Sequence, residues 1–174
     1  MTSKNDSDQT KKYSSKIKKR DELKKILEKH KSVGKKIAFT NGCFDILHVG
    51  HVRYLNEAKS LADILVVAVN SDASVRKIKG DKRPLVPQNE RAEVLSALEF
   101  VDYIVIFDET DPYEIISQLL PDVLVKGADW GLENIIGRDI VERNGGKVVR
   151  IELAEGASTS NIVKIILDRY KDSD

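Results

Sequence analysis

The sequence predicts one α/β domain built on a five-stranded parallel sheet with helices on both faces. Three observations predict it. Apolar runs of strand length alternate five times with helix-length stretches that carry an apolar stripe. The runs, such as ILVVAV at 64–69, are continuous rather than alternating, as in strands buried on both sides. The 174 residues, 41% apolar and 33% charged, suit one soluble core. Together they describe a doubly wound, Rossmann-like architecture in a single domain.

Residues 1–15 are polar and read as a disordered tail. Residues 16–35 read as a basic helix, with Ile17, Leu23, Ile26 and Leu27 as a weak stripe and Gly34 closing it. The main domain then runs over 36–170. KIAFT (36–40) is a strand, and Val52, Leu55, Ala58, Leu61 and Ala62 mark the helix after it. ILVVAV is the second strand, followed by a polar loop from Asn70 to Pro87. ERAEVLSALEF reads as a helix, YIVIF (103–107) as a strand, PYEIISQLL (112–120) as a helix with proline at its start, and VLVKG (123–127) as a strand. A short helix at 137–144, the strand KVVRIEL and a helix at 159–170 complete the series.

Composition narrows the function classes. The single cysteine, Cys43, excludes an internal disulfide framework and fits a reducing compartment, so the cytoplasm is expected. No apolar run is long enough to span a bilayer, and the N-terminus has no secretory h-region, so no membrane association is expected. The net charge of +1 hides an asymmetry. Residues 1–36 carry 13 Lys/Arg against 5 Asp/Glu, and the remaining 138 carry 16 against 23. Without interleaved aromatics the basic arm reads as solvated surface, and no nucleic acid is expected.

In such sheets, ligands bind beyond the carboxyl ends of the strands, at the switch in strand order. Polar clusters follow the first strand (Asn41 to His51), the second (Asn70 to Asp72), the fourth (Lys126 to Trp130) and the fifth (Ala154 to Ser160). In TNGCFDILHVGH (40–51), His48 and His51 lie three apart at a helix start, on one side of its first turn. Gly50 leaves room for close approach, and the helix start offers free N–H groups to an anion. Three readings stay open on these residues alone. They are a metal site with Cys43 and Asp45, a capped helix start, and imidazoles donating to a phosphoryl group.

The same stretch resembles the signature of the H-x-G-H nucleotidyltransferases. The ordered set NGCFD-x-x-H-x-GH, NSD, KGDKRP, VKGADW and STSNI is similar to the adenylyltransferase domain of ADP-heptose synthases over about residues 20–168. That domain is often fused to a sugar kinase, and this chain resembles the free-standing form, with the heptose kinase separate. The usual I-S-S-T-x-x-R motif has Val163 at the arginine position here, with Lys164 beside it.

The resemblance implies AMP transfer from ATP to D-glycero-β-D-manno-heptose 1-phosphate, giving ADP-heptose and pyrophosphate for surface polysaccharide such as lipopolysaccharide core. His48, His51 and Lys79 are implied as catalytic. The ATP site is implied at Asn41, Gly42, Cys43, Phe44, Gly50, Arg91, Lys126, Gly127, Asp129, Trp130, Ser158, Thr159 and Ser160, together with the two histidines. Asp45, Asn70, Asp72, Lys79 and Arg83 are implied for the sugar phosphate. No carboxylate cluster marks a metal cage, so no protein-bound metal is expected, and Mg²⁺ is expected mainly on the ATP phosphates. Relatives are often homodimers. A cytidylyltransferase acting on glycerol 3-phosphate or a similar alcohol phosphate is the alternative, and a zinc-dependent hydrolase is the reading from another class.

Overall fold

The structure, a computed structural model, describes residues 13–152, 156 and 158–171. The predicted tail and the start of the loop after the last strand lie largely outside these residues.

The five strands are β1 (Ile37–Gly42), β2 (Ile64–Asn70), β3 (Tyr103–Phe107), β4 (Val123–Gly127) and β5 (Lys147–Ile151). They form one sheet in the order β3-β2-β1-β4-β5. Every pair is parallel, as expected. The helices are α1 (Arg20–Ser32), α2 (Val49–Ser60), α3 (Asp72–Lys79), α4 (Gln88–Ser96), α5 (Tyr113–Leu119), α6 (Arg138–Arg143) and α7 (Thr159–Tyr170).

Strand side chains alternate between two cores. Ile37 and Phe39 of β1 pack with Leu23 and Leu27 of α1, Ile115 and Ile116 of α5, and Ile140 and Val141 of α6. Ala38 of β1 packs on the other face with Tyr54, Leu55 and Ala58 of α2 and Ala92 and Leu95 of α4. Continuous apolar strands follow from this, because both faces are covered.

The structure differs from the sequence reading in two places. The basic helix begins at Arg20 rather than 16. Residues 13–16 form a helical turn, and Ile17 bridges Ile104, with Lys18 donating to the Ile104 carbonyl at 2.8 Å. β3 is an edge strand, and this segment satisfies backbone groups that the edge would otherwise expose. The basic stretch is also tied into the fold: Arg20 pairs with Glu109 at 2.7 Å, and Lys31 donates to the Leu119 carbonyl that ends α5. The predicted loop from Asn70 to Pro87 contains α3, whose cap is the Ser71 hydroxyl accepting from Ser74 N–H at 3.2 Å. The only side chains α3 buries are Ser74 and Val75, so its stripe is too narrow to read from hydrophobicity.

Leu23 is fully buried although it belongs to a lysine-rich helix. Leu23→Ala is expected to cost about 2–5 kcal/mol in urea unfolding, whereas Val33→Ala, which is 71% exposed, stays within about 0.5 kcal/mol.

Candidate active site

β1 and β4 are neighbours in the sheet, yet α2 leaves β1 toward one face and α6 follows β4 on the other. A crevice must open between their carboxyl ends. A cavity of about 460 Å³ lies there. It brings together Asn41, Gly42, Cys43, Phe44, His48, Gly50 and His51 from the first strand end, and Asn70 and Lys79 from the second. Lys126, Gly127, Asp129 and Trp130 come from the fourth, and Ser158, Thr159 and Ser160 from the start of α7.

The turn after β1 shapes one wall. Phe44 adopts φ 47°, which is uncommon for a residue with a side chain. Its ring folds back over Gly42, where a Cβ would meet the ring at 3.1 Å. The same ring meets His51 edge-on, with centroids 5.1 Å apart. His48 is the extended residue before α2, and His51 sits in the first turn. Their rings stack at 3.8 Å with 22° between planes.

Two imidazolium ions at that separation would repel, so the pair is held neutral. Burial drives the His51 pKa down to about 4, His48 lowers it further, and the Ile46 backbone opposes the shift. Burial also lowers His48. Both Nδ1 atoms are buried without a hydrogen-bond partner. Each neutral ring still carries one N–H donor. A neutral ring whose N–H faces the cavity can therefore donate to an anion without prior protonation.

Lys126 ends β4 and donates to Asn41 Oδ1 at the end of β1, joining the two strands across the switch. Its Nζ lies 5.9 Å from the Trp130 ring centroid. Burial lowers its pKa to about 8, against the pull of Asp129. Tyr54 also lines the cavity and shares a buried hydroxyl hydrogen bond of 2.7 Å with Thr40.

Four expected ligand contacts fall outside the cavity. Asp45 accepts from Arg83 at 2.6 Å and from the Leu85 and Val86 amides at 2.7 and 3.0 Å. Burial alone would raise its pKa, but these donors outweigh it and hold the carboxyl below its usual range. Asp45 and Arg83 thus fasten the 83–86 segment to the turn instead of facing a sugar phosphate. Arg91 is 2% exposed and bonds to protein carbonyls and to Asp72 at 2.8 Å. A cation near a helix start faces the positive end of the dipole, and the neighbouring Asp72 carboxylate offsets it.

Ser158 caps α7 by accepting from Asn161 N–H at 3.0 Å, and Thr159 donates to the Ile46 carbonyl at 3.4 Å. Lys164 lines a neighbouring groove with Arg83, Ser160 and Val163 rather than the cavity. The Cys43 thiol is pushed up by burial, which disfavours a thiolate ligand. Among the described residues no three His, Cys, Asp or Glu side chains come together as a metal site.

Other lining residues escaped the sequence reading. Thr110, Asp111 and Pro112 follow β3 and also line the cavity, as do Ile135 and Ile136. The rule that polar residues gather after strands, applied to FDETDP, would have found the first group. Ile135 and Ile136 look like core residues in sequence, and no signal there distinguishes them.

His51 sets an acid limit on stability. Its folded pKa of about 4 is below its unfolded value near 6.5, so the unfolded state binds more protons in that window. The expected outcome is stability that is full above pH 6.5 and falls toward pH 4, by at most about 3 kcal/mol. Urea unfolding from pH 7 to 4.5 checks it, with His51→Asn removing that part of the slope.

A cytidylyltransferase-like family profile matches residues 39–165. The chain is 53% identical over 159 residues to the bifunctional protein HldE of Syntrophotalea carbinolica. It is 55% identical over 155 residues to the bifunctional protein HldE of Geobacter metallireducens. These alignments cover 91% and 89% of this chain but 32% of each relative, so the chain spans about a third of their length. The crystal structure of the lipopolysaccharide core biosynthesis protein from Thermoplasma volcanium GSS1 superposes with a TM-score of 0.61 at 32% identity, covering 70% of this chain and all of that one. No described helix is long and apolar enough to cross a membrane. The matched span contains the strand ends, the stacked imidazoles and the start of α7, and the chain belongs to the cytidylyltransferase-like family of nucleotidyltransferases.

Proposed function

We propose that the chain transfers AMP from ATP to D-glycero-β-D-manno-heptose 1-phosphate, releasing pyrophosphate and forming ADP-heptose. The observation that carries this reading is the neutral imidazole pair sharing one cavity with Lys126 and Trp130 at the switch point. The similarity to HldE proteins and to a lipopolysaccharide core biosynthesis protein supports the acceptor.

In this reading an oxygen of the sugar phosphate attacks the α-phosphorus of ATP. A bond forms there, the bond from the α-phosphorus to the bridging oxygen breaks, and its electron pair leaves with pyrophosphate. No proton has to move, so the protein's task is positioning and charge stabilisation. His48 and His51 donate N–H groups to the phosphate oxygens as charge grows, and Lys126 and Lys79 supply positive charge. Trp130 covers the base. The Ser158 oxygen is occupied as a cap, but its O–H remains a donor toward phosphate, as do Thr159 and Ser160. Only Asp111 and Asp129 among the described carboxylates line the cavity, a set that fits Mg²⁺ carried on the nucleotide phosphates. There it would neutralise phosphate charge. The acceptor is a phosphorylated heptose, so a heptose kinase must supply it, and we place the reaction in the cytoplasm.

A cytidylyltransferase reading is favoured by the family description, so nucleotide and acceptor must be tested together. Pyrophosphate release is expected with ATP and heptose 1-phosphate, and His51→Ala should lower kcat by ~10²–10³. Preferred turnover of CTP with glycerol 3-phosphate would refute the assignment.

The kcat/KM profile reports free-enzyme ionisations. Because Lys126 loses its charge near pH 8, kcat/KM for ATP is expected to fall above that pH. Lys126→Met should be slower and lack this limb; an unchanged limb would remove Lys126 from the nucleotide site.

A further inference from the structure

Arg91 is a fully buried cation that reaches four backbone or side-chain acceptors from one helix. Its Nε donates to the Val86 carbonyl at 2.9 Å, and one terminal nitrogen donates to the Cys43 carbonyl. The other donates to the Asn70 carbonyl at 2.9 Å and to Asp72 Oδ1 at 2.8 Å. These acceptors belong to the turn after β1, the end of β2, the start of α3 and the 83–86 segment. A guanidinium has five N–H donors in a fixed plane, so one side chain sets all four positions relative to one another. A lysine could not reproduce that geometry.

The Cys43 carbonyl is the critical partner. Cys43 precedes Phe44, whose positive φ turns its ring onto His51. His51 in turn stacks on His48. The second fastening runs the other way: Asp45, two residues after Cys43, accepts from the Leu85 and Val86 amides. The turn is therefore held from both ends against the 83–86 segment. We infer that Arg91 is a positioning residue, whose guanidinium fixes the turn that places the two imidazoles and so sets the rate of transfer without touching substrate. The inference rests on the assignment of His48 and His51 to the phosphates.

The test has two readouts. The chain has three histidines, and His30 sits apart in α1 against the Tyr103 hydroxyl at 3.0 Å. In Arg91→Lys, NMR titration should show His48 and His51 moving up toward the ordinary imidazole range while His30 is unchanged. In steady-state kinetics kcat should fall by ~10²-fold with KM for ATP nearly constant, since displaced reacting groups cost on that order. Arg91→Ala should regain part of its kcat when guanidinium ion is added. Unchanged His48 and His51 titrations in a folded variant would overturn the inference, as would a raised KM with kcat preserved. Removing a buried cation can prevent folding. Asp72→Asn keeps the guanidinium and loosens one of its partners, so it should shift the same two histidines by less; no shift there also overturns it. If the wild type transfers no nucleotide while the titrations still respond, the clamp stands and the transferase reading falls.

Discussion

β1 and β4 lie side by side in the sheet, but the chain leaves them toward opposite faces. Backbone hydrogen bonding fixes the strands, and the two helix layers fix the departures, so the gap between the strand ends is a consequence of topology. Lys126 and Asn41 bridge that gap with a single hydrogen bond. The imidazole pair comes from the β1 side, while Lys126 and Trp130 come from the β4 side. A substrate that fills the gap meets both sets at once, with no loop having to carry the chemistry alone.

The site handles charge by withholding it. A half-buried lysine and two half-buried histidines all have pKa values pushed toward the neutral form. Such groups favour an incoming anion because burial has already removed much of their water. Stacking adds a second constraint, since a proton on one imidazole disfavours a proton on the other. Phe44 packs edge-on against His51, which stacks on His48, and this packing sets how the neutral rings are oriented. Beside the cavity two ion pairs are closed within the protein, Asp45 with Arg83 and Asp72 with Arg91, while Lys79, Asp111 and Asp129 line it.

Much of the fold was legible because parallel strands buried on both faces leave an unbroken apolar run, and ILVVAV shows it most clearly. The cavity's strand-end residues were legible for the same reason: they follow those runs. The roles of Arg91, Asp45 and Arg83 were not. A cation beside phosphate-binding motifs looks the same in sequence whether it faces a ligand or a carbonyl, and only the three-dimensional path of the 83–86 segment decides. α3 was hidden by its narrow buried stripe, and Ile17 by an edge-strand contact that depends on β3 being outermost.

The reacting phosphate is expected to lie between the two strand ends, against the stacked imidazoles. A crystal structure with α,β-methylene-ATP tests it most directly. The predicted result has oxygens of the α-phosphate about 3 Å from ring nitrogens of both His48 and His51, with the adenine beside Trp130. Phosphates seated instead in the groove of Arg83 and Lys164, out of reach of both imidazoles, would contradict it.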